Sequence, residues 1–125
     1  MSKKIIDEIL RRLVAVRYVA IYRNDRLASK VRKGLANASA SESDRYEELL
    51  VNPTLLKLVT QRGNIDCGGA RFLLIRYGNF YEFVRAIKGG HISVGIEPSA
   101  DPLALVGPLE SILRRRGLLD RKSKV

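Results

Sequence analysis

The side chains that most often carry out chemistry are scarce in this chain, which has one cysteine, Cys67, and one histidine, His91. A thiolate nucleophile needs a neighbouring base or a positive environment, and His91 would have to be that base. No third group that would orient the pair is evident, so we predict that the protein is not an enzyme. A metal site would have to recruit Asp66 and Glu97 at no recognisable ligand spacing, so we predict no metal and no cofactor.

Glycine pairs and carboxylates give no clearer sign of a reaction. Gly68-Gly69 and Gly89-Gly90 match neither of the glycine-rich patterns that cradle phosphate groups, and such pairs are typical of turns. Glu82 and Glu97 are the acids of the β-rich region. We interpret them as solvated strand positions rather than as a general acid and base.

Aromatic and basic side chains alternate through residues 71–88. They are Tyr77, Phe80, Tyr81 and Phe83 together with Arg71, Arg76, Arg85 and Lys88. Several RNA-binding domains stack bases on the aromatic side chains of a sheet, so a basic nucleic-acid-binding protein is our alternative prediction. We rank it second, because the basic-glycine-aromatic pattern of that class is missing and Phe72 and Phe83 are needed for a core.

Positive charge is concentrated at the two ends of the chain. The net charge is +10, and residues 1–33 hold ten of the 23 Lys and Arg residues while residues 114–125 hold six. This asymmetry favours an acidic partner, although a solvated basic face that keeps the protein soluble is an equally simple explanation. The predicted partner-binding patch comprises Arg11, Arg12, Arg114, Arg115 and Arg116.

The region Ala70–Glu97 contains three β-rich runs separated by Gly78-Asn79 and Gly89-Gly90. Two tight breaks of this kind predict consecutive hairpins, that is, an antiparallel meander. In the last run Ile92, Val94 and Ile96 share one face, while His91, Ser93 and Glu97 share the other. A period of two predicts a strand with one buried and one wet face.

The remaining elements follow from apolar periodicity and turn residues. They are a helix over Ser2–Leu13, strands over Arg17–Arg23 and Arg26–Lys33, a helical segment that begins at Ser41 or Ser43, and a last helix from Asp101-Pro102 to Gly117. We expect Gly107-Pro108 to kink or restart the last helix, and Gly63 to end the middle segment. Asn52-Pro53 interrupts that segment, which is either one kinked helix or two helices with Asn52 capping the second, and we favour two.

The predicted fold is α+β, with helices flanking a five-stranded antiparallel sheet in the order α-β-β-α-β-β-β-α. The 125 residues suit a single domain, 1–125, with a core at about 13–116 and a frayed basic tail at 117–125. One cysteine excludes an internal disulfide, and no leader is recognisable. No apolar run approaches the ~20 residues of a membrane span, so we predict a cytoplasmic protein.

The second half of the middle helical segment shows apolar residues on more than one side. Leu55, Leu56, Leu58 and Val59 present more apolar surface than one sheet face needs. A stripe of this kind is typical of a contact between copies, so we predict a homodimer with these four residues in its interface.

The order of elements, and the residues that carry it, resembles the roadblock / dynein light chain family over roughly Leu13 to Leu113. YVAIYRNDRLASKVR (Tyr18–Arg32) is similar to the family's early hairpin, and FLLIRYGNFYEFVRAIKGGHISVGIE (Phe72–Glu97) to its strand triplet. DPLALVGPLESILRR (Asp101–Arg115) is similar to its closing helix. Pro53 departs from the long unbroken central helix typical of the family.

The resemblance implies a profilin-like layering and dimers whose sheets join edge to edge, with the central helices packed on one side. It also implies a non-catalytic platform that scaffolds or regulates a small Ras-like GTPase or a similar protein. A dimeric interaction module of this kind is therefore our first prediction of function.

Overall fold

The computed structural model describes residues 1–120, and an antiparallel sheet of five strands runs through it. The helices are α1 (Ser2–Arg12), α2 (Ser41–Tyr46), α3 (Asn52–Asp66) and α4 (Leu103–Arg115). The strands are β1 (Val16–Arg23), β2 (Arg26–Val31), β3 (Leu73–Arg76), β4 (Tyr81–Ile87) and β5 (Gly90–Ile96). The predicted α+β fold with a five-stranded antiparallel sheet is confirmed. None of the described helices is long and apolar enough to cross a membrane.

The strands lie in the order β2-β1-β5-β4-β3, so β2 and β3 form the two edges of the sheet. Arg23 pairs with Arg26 across the first hairpin, which leaves Asn24 and Asp25 as a two-residue turn. Their φ angles of 51° and 65° fit a type I′ turn, and Asn and Asp tolerate this conformation better than most residues. Pairing of β1 with β5 then joins this hairpin to the predicted β3–β4–β5 meander.

The hydrophobic core lies on the face of the sheet that α1 and α4 cover. Ile92, Val94 and Ile96 of β5 are fully buried there, as their alternation predicted. α1 adds Ile5 and Ile9, also fully buried, because its apolar residues recur at helical spacing and form one face. α1 therefore belongs to the core.

The core extends further along the chain than the predicted 13–116. It begins in α1 and ends at Leu118 and Leu119, which are buried against it. The Leu118 carbonyl accepts a hydrogen bond from the Lys88 N–H at 2.9 Å, so the chain after α4 is tied to the sheet. The predicted frayed tail is thus wrong for its first residues, and its remainder, 121–125, lies outside the described residues.

The middle helical segment is continuous, which corrects the predicted break at Asn52-Pro53. One π-helical turn, Glu47–Val51, joins α2 directly to α3. Asn52 has helical φ and ψ angles of −66° and −44°, so it caps no helix. Pro53 has no N–H, so it cannot donate the hydrogen bond that an α-helix would make there. We attribute the π-helical turn just before it to that missing donor.

Two further helix predictions are also corrected. α3 passes through Gly63, where a Cβ atom would lie 2.6 Å from the Gly69 carbonyl oxygen, so this glycine permits a close packing of backbones. α4 continues through Pro108 without a break. Its predicted start is supported, because Asp101 Oδ1 accepts the Leu103 N–H at 3.1 Å.

The second face of the sheet is covered by the segment from α2 to α3. The π turn contacts β1 and α3 contacts β4, so the segment crosses the sheet toward the β3 edge. Many of the side chains enclosed here are polar, in contrast to the apolar core on the other face. This polar layer forms the candidate site.

Candidate functional site

A cluster of hydrogen-bonded polar side chains fills the space between the sheet and the π turn. We call it the Glu48 cluster: Glu48 with its partners Tyr18, Asn52, His91 and Ser93. His91 Nε2 lies 2.8 Å from Glu48 Oε1, and Asn52 Nδ2 donates to the same oxygen at 3.2 Å. The Ser93 hydroxyl also donates to Oε1, and the Tyr18 hydroxyl donates to Oε2 at 3.2 Å.

Local structure explains how these residues meet. Glu48 and Asn52 are four positions apart and therefore share the inner side of the helical segment. His91 and Ser93 alternate with the core residues of β5, so they point to the opposite face of the sheet. The predicted wet positions of His91 and Ser93 are wrong: they are 3% and 0% exposed, because the helical segment covers that face.

The Glu48 cluster does not have the geometry of a nucleophilic triad. In such a triad the histidine bonds the serine hydroxyl and the carboxylate orients the histidine. Here His91 and Ser93 both bond Glu48 Oε1, and Ser93 also accepts a hydrogen bond from Asn52 Nδ2 at 2.9 Å. With Ser93 fully buried, the arrangement is suited to fixing the helix on the sheet.

Three carboxylates come together beside this cluster, and we call Glu47, Glu48 and Glu82 the carboxylate triad. One ligand oxygen from each lies within 4.8 Å of the others. Glu82 is fully buried, and neither of its oxygens has a hydrogen-bond partner among the described residues. Its predicted solvated position is therefore wrong.

The electrostatic environment of the triad disfavours a third negative charge. Burial, together with the charges of Glu47 and Glu48, raises the pKa of Glu82 well above its usual value. Burial and the neighbouring Glu48 also raise the pKa of Tyr18, which stays a hydrogen-bond donor. Sequence analysis missed this site, and the only signal for it was the four-residue spacing of Glu48 and Asn52.

An apolar stripe runs along the exposed side of the helical segment. Val51 lies in a groove beside Tyr77 and Phe80, at the turn between β3 and β4. Leu55 and Leu58 follow Val51 at four and seven residues and so lie on the same side of the helix, toward the β3 edge. Leu58 is 57% exposed.

The four predicted interface residues do not all belong to this stripe. Leu55 and Leu58 do, and Val59 is half-buried between the stripe and the sheet side of α3. Leu56 instead lines a groove with Tyr22 and His91, at the N-terminal end of β5. The structure thus separates Leu56 from the other predicted interface positions.

The two edges of the sheet differ in character. β3 offers Leu73, Leu74 and Ile75, all half-buried, and carries a charge only at Arg76. β2 carries exposed Lys30, which pairs with Asp7 of α1 at 3.1 Å. Charged side chains discourage pairing with another strand, so β3 is the edge that is open to pairing.

Three of the five residues of the predicted basic patch meet at Glu8, where α1 lies beside α4. Glu8, which is 2% exposed, pairs with Arg12 at 2.8 Å, with Arg115 at 3.2 Å and with Arg116 at 2.8 Å. The hydrogen bond from Arg116, reinforced by Arg115, lowers the pKa of Glu8 despite its burial.

Within the described residues, the other two members of the patch are not partners of Glu8. Arg11 is exposed and Arg114 is half-buried. The patch therefore keeps a net positive charge, because the one carboxylate of Glu8 offsets only one of its three arginine partners and Arg11 and Arg114 add two further charges.

The residues that were weighed and rejected for catalysis or metal binding are dispersed. Cys67 is exposed after the end of α3, and its thiol donates to Asp66 Oδ1 at 3.3 Å. His91 belongs to the Glu48 cluster, and Glu97 pairs with Arg17 at 3.3 Å. The described contacts do not join these residues into one site.

The basic and aromatic residues of 71–88 do not form an open sheet surface. Phe83 is fully buried in the core. Arg71 and Arg85 both bind Glu110 of α4, with Arg71 at 3.0 and 2.5 Å. Because helices cover both faces, the sheet offers no platform on which Phe83 or Arg85 would meet a base.

The fold and these sites describe a small α+β protein with a buried polar cluster, an apolar helix stripe beside a free strand edge, and a separate basic patch. A scan against models of protein families finds none that matches the chain, and a search of curated proteins finds no match.

Proposed function

We propose that this chain is a non-catalytic, self-associating interaction module that binds an acidic protein, with a small Ras-like GTPase as the partner class that its resemblance to the roadblock family suggests. The observation that carries the proposal is the position of the apolar stripe beside the free β3 edge.

The stripe and the edge support a contact with a second copy. A two-fold axis beside β3 would pair this strand with its symmetry mate and extend the sheet. The same axis would bring the two α3 helices together, because Leu55 and Leu58 lie toward that edge. Leu58, 57% exposed in the single chain, would then be buried.

The basic patch supports a separate contact with an acidic partner. It lies on the α1/α4 face, opposite α3, so a dimer formed through β3 and α3 would leave it accessible. Like-signed charge over one surface attracts an oppositely charged partner and speeds association. A cytoplasmic role is part of the proposal.

Self-association is tested with Leu58→Glu and the matched control Lys57→Glu, measured by sedimentation equilibrium. Both changes add a carboxylate to an exposed position of α3, but only the first enters the stripe. We expect the wild type and Lys57→Glu to dimerise and Leu58→Glu to be monomeric. A monomeric wild type at high micromolar concentration would refute the proposed dimer.

Partner binding is tested with the double reversal of Arg11 and Arg114 to Glu, which leaves the arginines that bind Glu8 in place. Reversal of Arg26 and Lys57, both exposed and elsewhere on the surface, is the control with the same change in net charge. We expect the first double variant alone to lose capture of an identified acidic protein. Equal loss in both variants, or steeply salt-dependent binding of random RNA by the wild type, would favour the nucleic-acid alternative.

A further inference from the structure

We propose that the carboxylate triad, with Asn52, is a binding site for a hard divalent cation, Ca²⁺ in the first instance. Nothing in the proposed interaction function requires this site. Glu48, Glu82 and Asn52 are buried, and half-buried Glu47 alone reaches the groove that Val51 shares with Tyr77 and Phe80.

The unpartnered acceptors of the site carry the inference. Both Glu82 oxygens and Asn52 Oδ1 are buried and have no hydrogen-bond donor among the described residues. Asn52 turns its Nδ2 toward Glu48 and Ser93, and its side chain lies within reach of Glu82, whose pKa it lowers slightly against the larger effects of burial and of Glu47 and Glu48. Buried polar atoms without partners are rare in proteins and indicate a missing ligand.

A cation would satisfy these acceptors more fully than a proton would. A proton on one Glu82 oxygen lets that oxygen donate to a single acceptor, Asn52 Oδ1 or Glu47, both within its reach. A cation accepts lone pairs from all three atoms and offsets the charge of Glu47 and Glu48. Burial of unpaired carboxylates costs far more free energy than burial of coordinated ones.

The donor set and its dimensions indicate which cation. All the donors are oxygens, which suit Mg²⁺, Ca²⁺ and Mn²⁺. Opposite ligands of Ca²⁺, at about 2.3–2.6 Å each, lie about 5 Å apart, whereas those of Mg²⁺ lie about 4 Å apart. The triad oxygens lie within 4.8 Å of one another, a spacing that the flexible coordination of Ca²⁺ accommodates.

There is room beside the triad for about one water ligand. A cavity of about 20 Å³ is lined by Glu47 and Glu82, and space of this size holds about one water molecule. Charged and titratable groups that face the triad are Arg17, Tyr18, Asp44, Tyr77 and His91. The positive charge of Arg17 is turned to Glu97 and to the Ala36 carbonyl, at 3.3 and 2.9 Å.

The test uses Tb³⁺, which replaces Ca²⁺ and emits when a nearby tyrosine is excited. The chain has no tryptophan, and two of its five tyrosines, Tyr18 and Tyr77, bond triad residues Glu48 and Glu47, so Tb³⁺ bound at the triad lies close to a sensitiser. The triad variants described below distinguish this emission from that of ions bound elsewhere. After treatment with chelator, we expect the full chain to show saturable Tb³⁺ emission that Ca²⁺ displaces. Mg²⁺ should displace it at higher concentration.

Glu82→Gln and Glu47→Gln are the test variants, and Glu42→Gln, an exposed acid of α2, is the control. Removing a residue that coordinates the ion should weaken Tb³⁺ binding by more than ~10-fold, the loss that follows removal of a residue that only supports a ligand. Glu42→Gln should bind Tb³⁺ like the wild type. Glu47→Gln serves if Glu82→Gln does not fold. The proposal is overturned if the wild type gives no saturable emission, or if both triad variants bind Tb³⁺ as the wild type does. It is also overturned if Glu82→Gln raises the stability of the protein and no cation binds to the wild type, because Glu82 then carries a proton instead of a cation.

Discussion

Replacement of Glu110 by Gln is expected to destabilise the protein strongly, because this residue holds α4 to the sheet by charge. Its carboxylate is 1% exposed and accepts hydrogen bonds from Arg71 at 3.0 and 2.5 Å and from Arg85. The Arg71 hydrogen bond lowers the pKa of Glu110, with Arg85 adding to the effect, so it is ionised at neutral pH. Gln keeps the shape and removes the charge.

The size of the effect follows from the exposure of the two arginines. The Arg85 side chain is 7% exposed, and breaking a buried ion pair by removing one of its members costs about 3–5 kcal/mol. The Arg71 side chain is 51% exposed and regains water, so its lost pair adds at most about 1 kcal/mol. For 125 residues, about 4 kcal/mol corresponds to a fall in Tm of about 15 °C.

Thermal unfolding followed by circular dichroism at neutral pH measures this effect. Asp7→Asn is the control, because it removes the exposed ion pair with Lys30 and should cost at most about 1 kcal/mol. A double variant, Arg85→Met with Glu110→Leu, should recover much of the lost stability, since it removes both buried charges. Equal Tm values for Glu110→Gln and Asp7→Asn would refute the reasoning.

Two further outcomes are expected. Val94→Asp and Ser93→Asp should both unfold the domain, because helices cover both faces of β5, and a folded Ser93→Asp variant by circular dichroism would contradict the covered face. Acid below about pH 4.5 should also destabilise the protein. The pKa values of Glu8 and Glu110 are lowered in the folded state, so the unfolded state binds more protons as pH falls below about 4.5. The stability that these two carboxylates contribute is therefore present above that pH and lost below it. Glu82, whose pKa is raised, has the opposite effect: it stabilises the folded state as pH falls toward about 4.5, and its contribution changes little below that pH. Urea midpoints measured below about pH 4.5 therefore report the loss from Glu8 and Glu110, which should shrink for Glu110→Gln, and a midpoint that rises over that range would contradict it.

The sheet could be predicted from the sequence because its signals are local. The alternation of Ile92, Val94 and Ile96 fixed which residues of β5 share the core face, and Asn24-Asp25 marked a two-residue turn. These patterns depend on neighbours a few residues away. The hairpin pairings followed once the turns were placed, whereas the pairing of β1 with β5 joins strands far apart in sequence and was not predicted.

The polar layer could not be predicted, because a period of two shows which residues share a face and not whether anything covers that face. His91 and Ser93 therefore looked solvated, and Glu82 looked like an ordinary surface acid. Their burial depends on a helix 40 residues away in sequence, whose Glu48 and Asn52 appear unremarkable by themselves. The proline rule likewise predicted a break, while these tertiary contacts keep the helix continuous through Pro53.

The two proposals concern the same helical segment but can fail independently. The π turn is fixed to the sheet by the Glu48 cluster, so α3 needs little apolar burial of its own and leaves Leu58 exposed. Leu58 lies on the outer side of α3, whereas Glu82 points inward from β4. Leu58→Glu should therefore abolish dimerisation and leave Tb³⁺ binding intact. Glu82→Gln should weaken Tb³⁺ binding and leave the apolar stripe, and with it dimerisation, intact. If Leu58→Glu also abolished Tb³⁺ binding, its effect would be a general loss of the helix position, and it would no longer count as evidence for a dimer contact.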